Sequence, residues 1–388
     1  MGTGMQRTVE KAFFALIRFE INGDELCDDV KNLITPEMAP VLFKLSKRHD
    51  LAHLIGDALD KNGLLSDGTE AKKRFLQERN MAVYRYEQIQ YELGQICDTL
   101  EKAKISFIPL KGSVIRQYYP EPWMRTSCDI DILVKEENLP VAIDVLTQDL
   151  NYRHESTGNH DAHLFAESGV HLELHYKLSP NDEQWNTVLV NIWNYLVDNQ
   201  TYKYSLREEM FYFYHIAHMG GHFKLGGCGV RSFLDLYLLH QHNLYNQENL
   251  STLLNQGGLT AFNDAVCAVS ECWFGKGVKT NLVEIIENYI LYAGMYGDMR
   301  NRVAVAKAKK GSWKLLWSRI FLPYNKLKFQ YPQLQKCPIL YPFYIVKRWF
   351  KLIKREDREK SFREFDETMR GDVDKQERIA QLIKDLNL

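Results

Sequence analysis

The chain has 388 residues, 45% of them hydrophobic, and carries 49 basic against 50 acidic side chains. That length is too great for one simple core, so two or three domains are expected. The near-zero net charge excludes a general pull on nucleic acid from the field of the whole protein. Cys27, Cys97, Cys128, Cys228, Cys267, Cys272 and Cys337 are scattered, odd in number and in no C-x-x-C pair. This argues against a disulfide frame or a zinc ribbon and for free thiols in a reducing compartment. No apolar run reaches the roughly 18–20 residues of a membrane span, and Ala12 to Ile17 is too short for a signal-peptide core. A cytoplasmic protein is expected.

Residues 1–106 read as a helical region. Val9 to Phe19 and Met38 to His49 are short amphipathic pieces, and Glu70 to Ala103 is longer. Within the longer piece Ala82, Tyr86, Ile89, Leu93, Ile96 and Leu100 form one helical stripe, the pattern of a helix that braces a core. Residues 107–180 alternate strand and helix. Strands are expected at Phe107–Leu110, Asp129–Val134, Asn151–Glu155, His163–Glu167 and Val170–Tyr176, with helices at Val114–Tyr119 and Leu139–Leu150. Ser168-Gly169 signals a tight hairpin between the last two strands. The layout is α+β: a small mixed sheet with helices on one side.

This region also holds the chemistry. In Asp129-Ile130-Asp131-Ile132-Leu133-Val134, period-2 alternation puts both carboxylates on one face and the isoleucines on the other. Two adjacent like charges call for a cation, and hard ions such as Mg²⁺ take carboxylate and phosphate oxygens. In Val170-His171-Leu172-Glu173-Leu174-His175-Tyr176, Glu173 and the two histidines share a face, so a neighbouring strand would set Glu173 beside the aspartates. Glu167 and Asp161 compete for that third position. Three carboxylates suit one or two metal ions and a triphosphate. Upstream, Leu110-Lys111-Gly112-Ser113 ends a strand in a turn, and Gly112 and Ser113 offer a cradle for phosphate. Lys111 either neutralises phosphate or faces solvent. Arg125 either forks a phosphate or pairs with an aspartate. His175 orients Glu173, contacts nucleotide, or is a hydrogen-bonded structural histidine.

The combined wording of Pro109-Leu110-Lys111-Gly112, Met124-Arg125, Asp129 to Val134 and Leu172-Glu173-Leu174-His175 resembles the nucleotidyltransferase superfamily with the polymerase-β-like fold. The longer match is similar to its bacterial family 5 branch. The resemblance is strong over residues 107–177 and fainter to about residue 350. It implies a nucleotidyltransferase core flanked by helical domains. It also implies an activity: transfer of a nucleoside monophosphate from an NTP, in a Mg²⁺-dependent reaction with two ions, to a hydroxyl acceptor, with release of pyrophosphate. Asp129, Asp131 and Glu173 are then the catalytic and metal-binding residues. The acceptor is a small molecule, a sugar intermediate or a protein. Two alternatives stay open: a catalytically inactive nucleotide-binding or regulatory module, and a metal-dependent phosphohydrolase.

Residues 181–308 return to helix, at Glu208–His218, Arg231–Gln241, Leu259–Phe274 and Asn281–Ala293. Such a domain would close a cleft over the nucleotide, with His218 and Lys224 near it. His215, His218 and His222 have the i, i+3, i+7 spacing of one helix face, the arrangement a phosphohydrolase metal would use. Gly220-Gly221 is expected to end the helix before His222. Arg231 and Asp235 have the spacing of a surface helix pair. The remaining region, 309–388, opens with a stretch to residue 355 in which lysines and arginines interleave with aromatics and no acid occurs. It reads as a helical subdomain with an aromatic core, an anionic lipid or acceptor surface, or a nucleic-acid contact.

Overall fold

The computed structural model describes residues 3–178, 183–197, 200–242 and 245–294, and beyond them 301–303, 305, 322, 324, 327–328, 331, 333–354 and 373–388. It is α+β, with a five-stranded mixed sheet among many helices. The chain divides into two compact units, residues 1–219 with 229–287 and residues 220–228 with 288–388. Among the described residues no helix is long and apolar enough to cross a membrane.

The first unit opens with α1 (Thr3–Asn22), α2 (Asp28–Leu33), α3 (Ala39–Arg48), α4 (Ala52–Lys61) and α5 (Glu70–Lys102). α5 starts where the Thr69 side chain accepts the Lys72 N–H, an N-cap that satisfies one of the helix's orphan donors. Its expected stripe is the buried one: Ala82, Ile89, Ile96 and Leu100 are buried, and Tyr86 and Leu93 half-buried.

The sheet follows. β1 (Phe107–Pro109) leads through the short α6 (Gly112–Ile115) to β2 (Asp129–Val134) and α7 (Leu139–Asp149). Then come β3 (Arg153–Thr157), β4 (Asp161–Phe165) and β5 (His171–His175), and the strand order is β1-β2-β5-β4-β3. β2 and β5 run parallel and the other pairs antiparallel. Ile130, Ile132, Val134, Ala162, Leu164, Leu172 and Leu174 share one face and pack with Ile89, Ile96 and Leu100 of α5 and Leu139, Ala142 and Leu146 of α7. The opposite face is therefore left to the polar residues of the same strands. The hairpin turn lies at Ser168-Gly169, with Gly169 at φ 85°.

α8 (Asn186–Leu189), α9 (Glu208–Lys224), α10 (Val230–His242), α11 (Gln247–Gln256), α12 (Thr260–Phe274) and α13 (Asn281–Ala293) follow. Two expectations are corrected here. α9 runs through Gly220-Gly221 to Lys224; the helix interior tolerates glycine at about 1 kcal/mol each, and buried neighbours such as Met219 and Phe223 hold it. Arg231 and Asp235 do not pair with each other: Arg231 pairs with Asp50, and Asp235 with Arg125.

In the second unit, the Tyr289 hydroxyl donates to the Phe223 carbonyl at 2.8 Å, and the Asn301 amide donates to Gly226 and Tyr289 carbonyls. Leu327, Leu334, Tyr344 and Ile345 form a small core with Tyr324, Tyr331 and Tyr341 against it. The Lys347 ammonium lies 5.4 Å from the Tyr344 ring centre. Much of the basic-aromatic stretch 309–355 lies outside the described residues.

Candidate functional site

The site is built on the polar face of three strands. Along the parallel β2–β5 pair, Asp129 faces His171, Asp131 faces Glu173, and Leu133 faces His175. On the far side of β5, β4 sets His163 opposite Glu173 and Asp161 opposite His175. The alternation that buries Ile130 and Leu172 thus gathers Asp129, Asp131 and Glu173 on one surface. Asp161 joins them from β4, and Glu167 is exposed at the hairpin turn.

The turn after β1 is fixed at the edge of this surface. The Leu110 N–H donates to the Asp131 carbonyl, and the Ser113 N–H closes back on Leu110 at 3.1 Å. Between them Lys111 takes φ 43° and ψ −119°, the dihedrals of the first central position of a II′ turn, where glycine is the default. Its ammonium donates to Asp131 Oδ1 at 2.5 Å. The next position is glycine for a steric reason. A Cβ on Gly112 would lie 2.9 Å from Arg125 Nη1 and 3.2 Å from the Ser127 Cβ.

Arg125 cannot swing away cheaply. Its Nε and Nη2 donate to the two oxygens of buried Asp235 at 3.2 and 2.9 Å, and the Tyr119 hydroxyl donates to the same carboxylate at 2.7 Å. Sequence reading left Arg125 between phosphate and an aspartate; its aspartate stands 110 residues downstream. A second buried guanidinium, Arg116, braces the turn by donating to the Gly112 carbonyl at 2.7 Å and Ser127 Oγ at 2.9 Å. Burial and the nearby Arg125 charge pull its pKa down to about 10.

The electrostatics centre on Asp131. Burial alone would raise its carboxyl, but the Lys111 charge and the His175 hydrogen bond hold it well below the usual range. His175 Nε2 lies 2.8 Å from Asp131 Oδ1 and 3.5 Å from Glu173 Oε2. Burial works against its imidazolium, yet the two carboxylates raise its pKa on balance. The His175 hydrogen bond lowers Glu173. Asp129 moves the other way, raised first by burial and then by the Asp131 charge. The burial and the Asp131 charge that raise Asp129 are what a bound cation would offset, and the carboxylate oxygens suit a hard dication. Two buried atoms of this site, Ser113 Oγ and His175 Nδ1, have no hydrogen-bond partner among the described residues.

Among the described residues, two groups have ligand atoms within 4.8 Å of one another, a spacing that suits a metal ion: Asp131, Glu173 and His175, and His163, His171 and Glu173. Neither includes Asp129. Neither includes the α9 histidines, of which His215 is buried 3.3 Å from the Ser232 carbonyl. Lys224 ends α9 and belongs to the second unit.

Sequence reasoning missed Arg116 and Tyr214 and gave His163 and His171 no role. Arg116 carries no motif signal beyond its place in the expected short helix. Tyr214 is buried in α9, and the charges of Lys111 and Asp131 act on its phenol, whose pKa is raised first by burial. His163 and His171 were visible in the strand alternation, but nothing in one strand shows which neighbour it meets.

No curated protein and no solved structure matches the chain. A family profile described as "uncharacterised nucleotidyltransferase" matches residues 36–275, more than half of the sequence. That span contains the turn, both acidic strands and Arg125 with its Asp235 partner. The chain belongs to this nucleotidyltransferase family.

Proposed function

We propose that the protein transfers a nucleoside monophosphate from an NTP to an acceptor hydroxyl, with Asp129, Asp131 and Glu173 holding Mg²⁺. The observation that carries this reading is the pairing of Asp131 with Glu173 across β2–β5, beside a Lys-Gly-Ser turn tied to Asp131. Bound there, two magnesium ions would supply the charge that neutralises the triphosphate and the oxygens flanking the transferred phosphorus.

The chain's own residues do the rest. Gly112 lets the backbone approach the phosphates closely, and the unpartnered Ser113 hydroxyl donates to a phosphate oxygen. Lys111, already cationic beside Asp131, adds a mobile positive charge within reach of the phosphates. Arg125 and Arg116 keep the turn in place, and Arg125 acts through Gly112 rather than as a phosphate fork. Glu173, ionised at neutral pH, accepts the acceptor's proton as its oxygen bonds to the α-phosphorus. The bond from that phosphorus to the bridging oxygen breaks, and pyrophosphate leaves. His175 orients Glu173 and Asp131 and adds a contact to the nucleotide. A cytoplasmic location accords with the scattered free thiols.

The test is pyrophosphate release with each NTP and a panel of hydroxyl acceptors, with and without Mg²⁺. Asp129→Asn removes one metal ligand, a change worth several kcal/mol in such centres, so transfer should fall at least about 100-fold. Unchanged turnover in that variant would remove the proposed centre.

A further inference from the structure

The histidine wall on the β4–β5 side of the sheet is not needed for the transfer chemistry, yet it is organised. His163 faces Glu173 directly across the antiparallel pair, and His171 sits two residues before Glu173 on the same face. His163 Nδ1 and His171 Nε2 share a hydrogen bond at 3.0 Å, which a bound ion would replace. Two imidazoles that share one tetrahedral dication at about 2.0–2.1 Å each would have their nitrogens a little over 3 Å apart. The Glu173 carboxylate completes the group, with all three ligand atoms within 4.8 Å of one another.

The rings are held before any ion arrives. Phe165 lies opposite His171 in the register and stacks on it at 4.6 Å and 13°, and the His163 ring lies nearly parallel to that of His171, at 17°, with centres 5.2 Å apart. Behind His163, its second nitrogen Nε2 lies 3.5 Å from Oδ1 of buried Asp161, whose other oxygen is 3.0 Å from His160 Nε2. A carboxylate on the far nitrogen of a ligating histidine fixes its tautomer and orientation, and it is the usual outer partner of a metal-bound imidazole.

We propose that His163, His171 and Glu173 bind a borderline transition-metal dication of the Zn²⁺ class, with Asp161 as the positioning residue for His163. Two imidazoles and one carboxylate are a nitrogen-rich set that favours zinc over magnesium. Three protein ligands leave a fourth position open, the arrangement of reactive rather than purely structural zinc sites. The three ligands are half-buried, so a small molecule can reach that position. The site shares Glu173 with the proposed magnesium centre but stands on its own geometry, whether or not the chain transfers nucleotides.

The experiment is Zn²⁺ titration of the chelator-treated full-length protein against a chromophoric competitor, with Co²⁺ absorbance as a second readout. Thermal melts show that each variant is folded. One equivalent of Zn²⁺ should bind in the presence of millimolar Mg²⁺, and Co²⁺ should give the visible bands of a low-coordinate nitrogen-oxygen site. His163→Ala and His171→Ala should each lose at least about 100-fold in affinity, and Asp161→Asn about 10–100-fold. Asp129→Asn should keep the zinc, which separates this proposal from the transfer reading. No equivalent of zinc bound below millimolar concentration would overturn it. So would zinc that survives His163→Ala but is lost in His175→Ala, because the ion would then sit with Asp131. His163 is half-buried next to an exposed edge strand, so its truncation remains informative if His171→Ala fails to fold.

Discussion

Lys111 holds a backbone conformation that a side chain ordinarily avoids, and its ammonium is the cation nearest the buried Asp131 carboxylate. Strain of this kind costs about 1–3 kcal/mol and persists only where the surroundings over-determine it. Here the Leu110–Asp131 and Ser113–Leu110 hydrogen bonds pin the turn from both sides. Two substitutions separate the backbone from the charge. Lys111→Gly and Lys111→Ala both remove the ammonium, but only glycine relieves the dihedral. Lys111→Gly should therefore be more stable than Lys111→Ala by about 1 kcal/mol or more in chemical denaturation, while both lose nucleotide transfer. Equal stabilities would mean that the turn relaxes without help. At this scale the acids were legible because period 2 decides which side chains share a face. The clamp on Gly112 was not, because Arg125 meets Asp235 only after the chain has folded back over 110 residues.

At the level of elements, the buried stripe of α5 is what turns the sheet's polar face outward. Ile96 lies fully buried between that helix and the strands that carry the acids. Ile96→Ala should cost about 2–5 kcal/mol, seen as a fall in melting temperature with the acidic strand residues untouched. The stripe was readable in the sequence, since its 3–4 residue steps have no competing period. The strand ends were less so. β4 starts at Asp161 rather than His163, and β3 ends at Thr157 rather than Glu155. Polar residues such as Asp161 break the apolar alternation while still pairing with β5. α9 shows the opposite error. Its glycine pair looked like punctuation, but buried aromatic neighbours outweigh local propensity.

Across the first unit as a whole, two ion pairs close long loops of chain: Arg125 with Asp235, and Asp50 with Arg231. Burial alone would raise the Asp235 carboxyl, but the Arg125 guanidinium more than reverses it, so its folded pKa lies below the ordinary value. A depressed carboxyl contributes stability that is present above its unfolded pKa of about 3.9 and is lost as pH falls through the folded value. Asp235→Asn should lower stability at neutral pH by about 3–5 kcal/mol, since it leaves a buried guanidinium uncompensated. In melts run from pH 7 to pH 3, the gap between the two proteins should narrow only at the acid end. A constant gap across that range would assign the loss to packing instead. None of this long-range pairing is visible in the sequence, where Asp235 sits in a helical pattern next to a nearer arginine.

The one-to-one parallel register of β2 and β5 ties the acidic face to packing more tightly than a loop-borne site would. A slip of a single residue between these strands would submerge Glu173 among leucines and lift Leu172 and Leu174 into water. Chains that misplace their acids would thereby forfeit their core, so misaligned copies are eliminated by unfolding rather than surviving as idle look-alikes. The hydrophobic face serves as a proofreader for the acidic one.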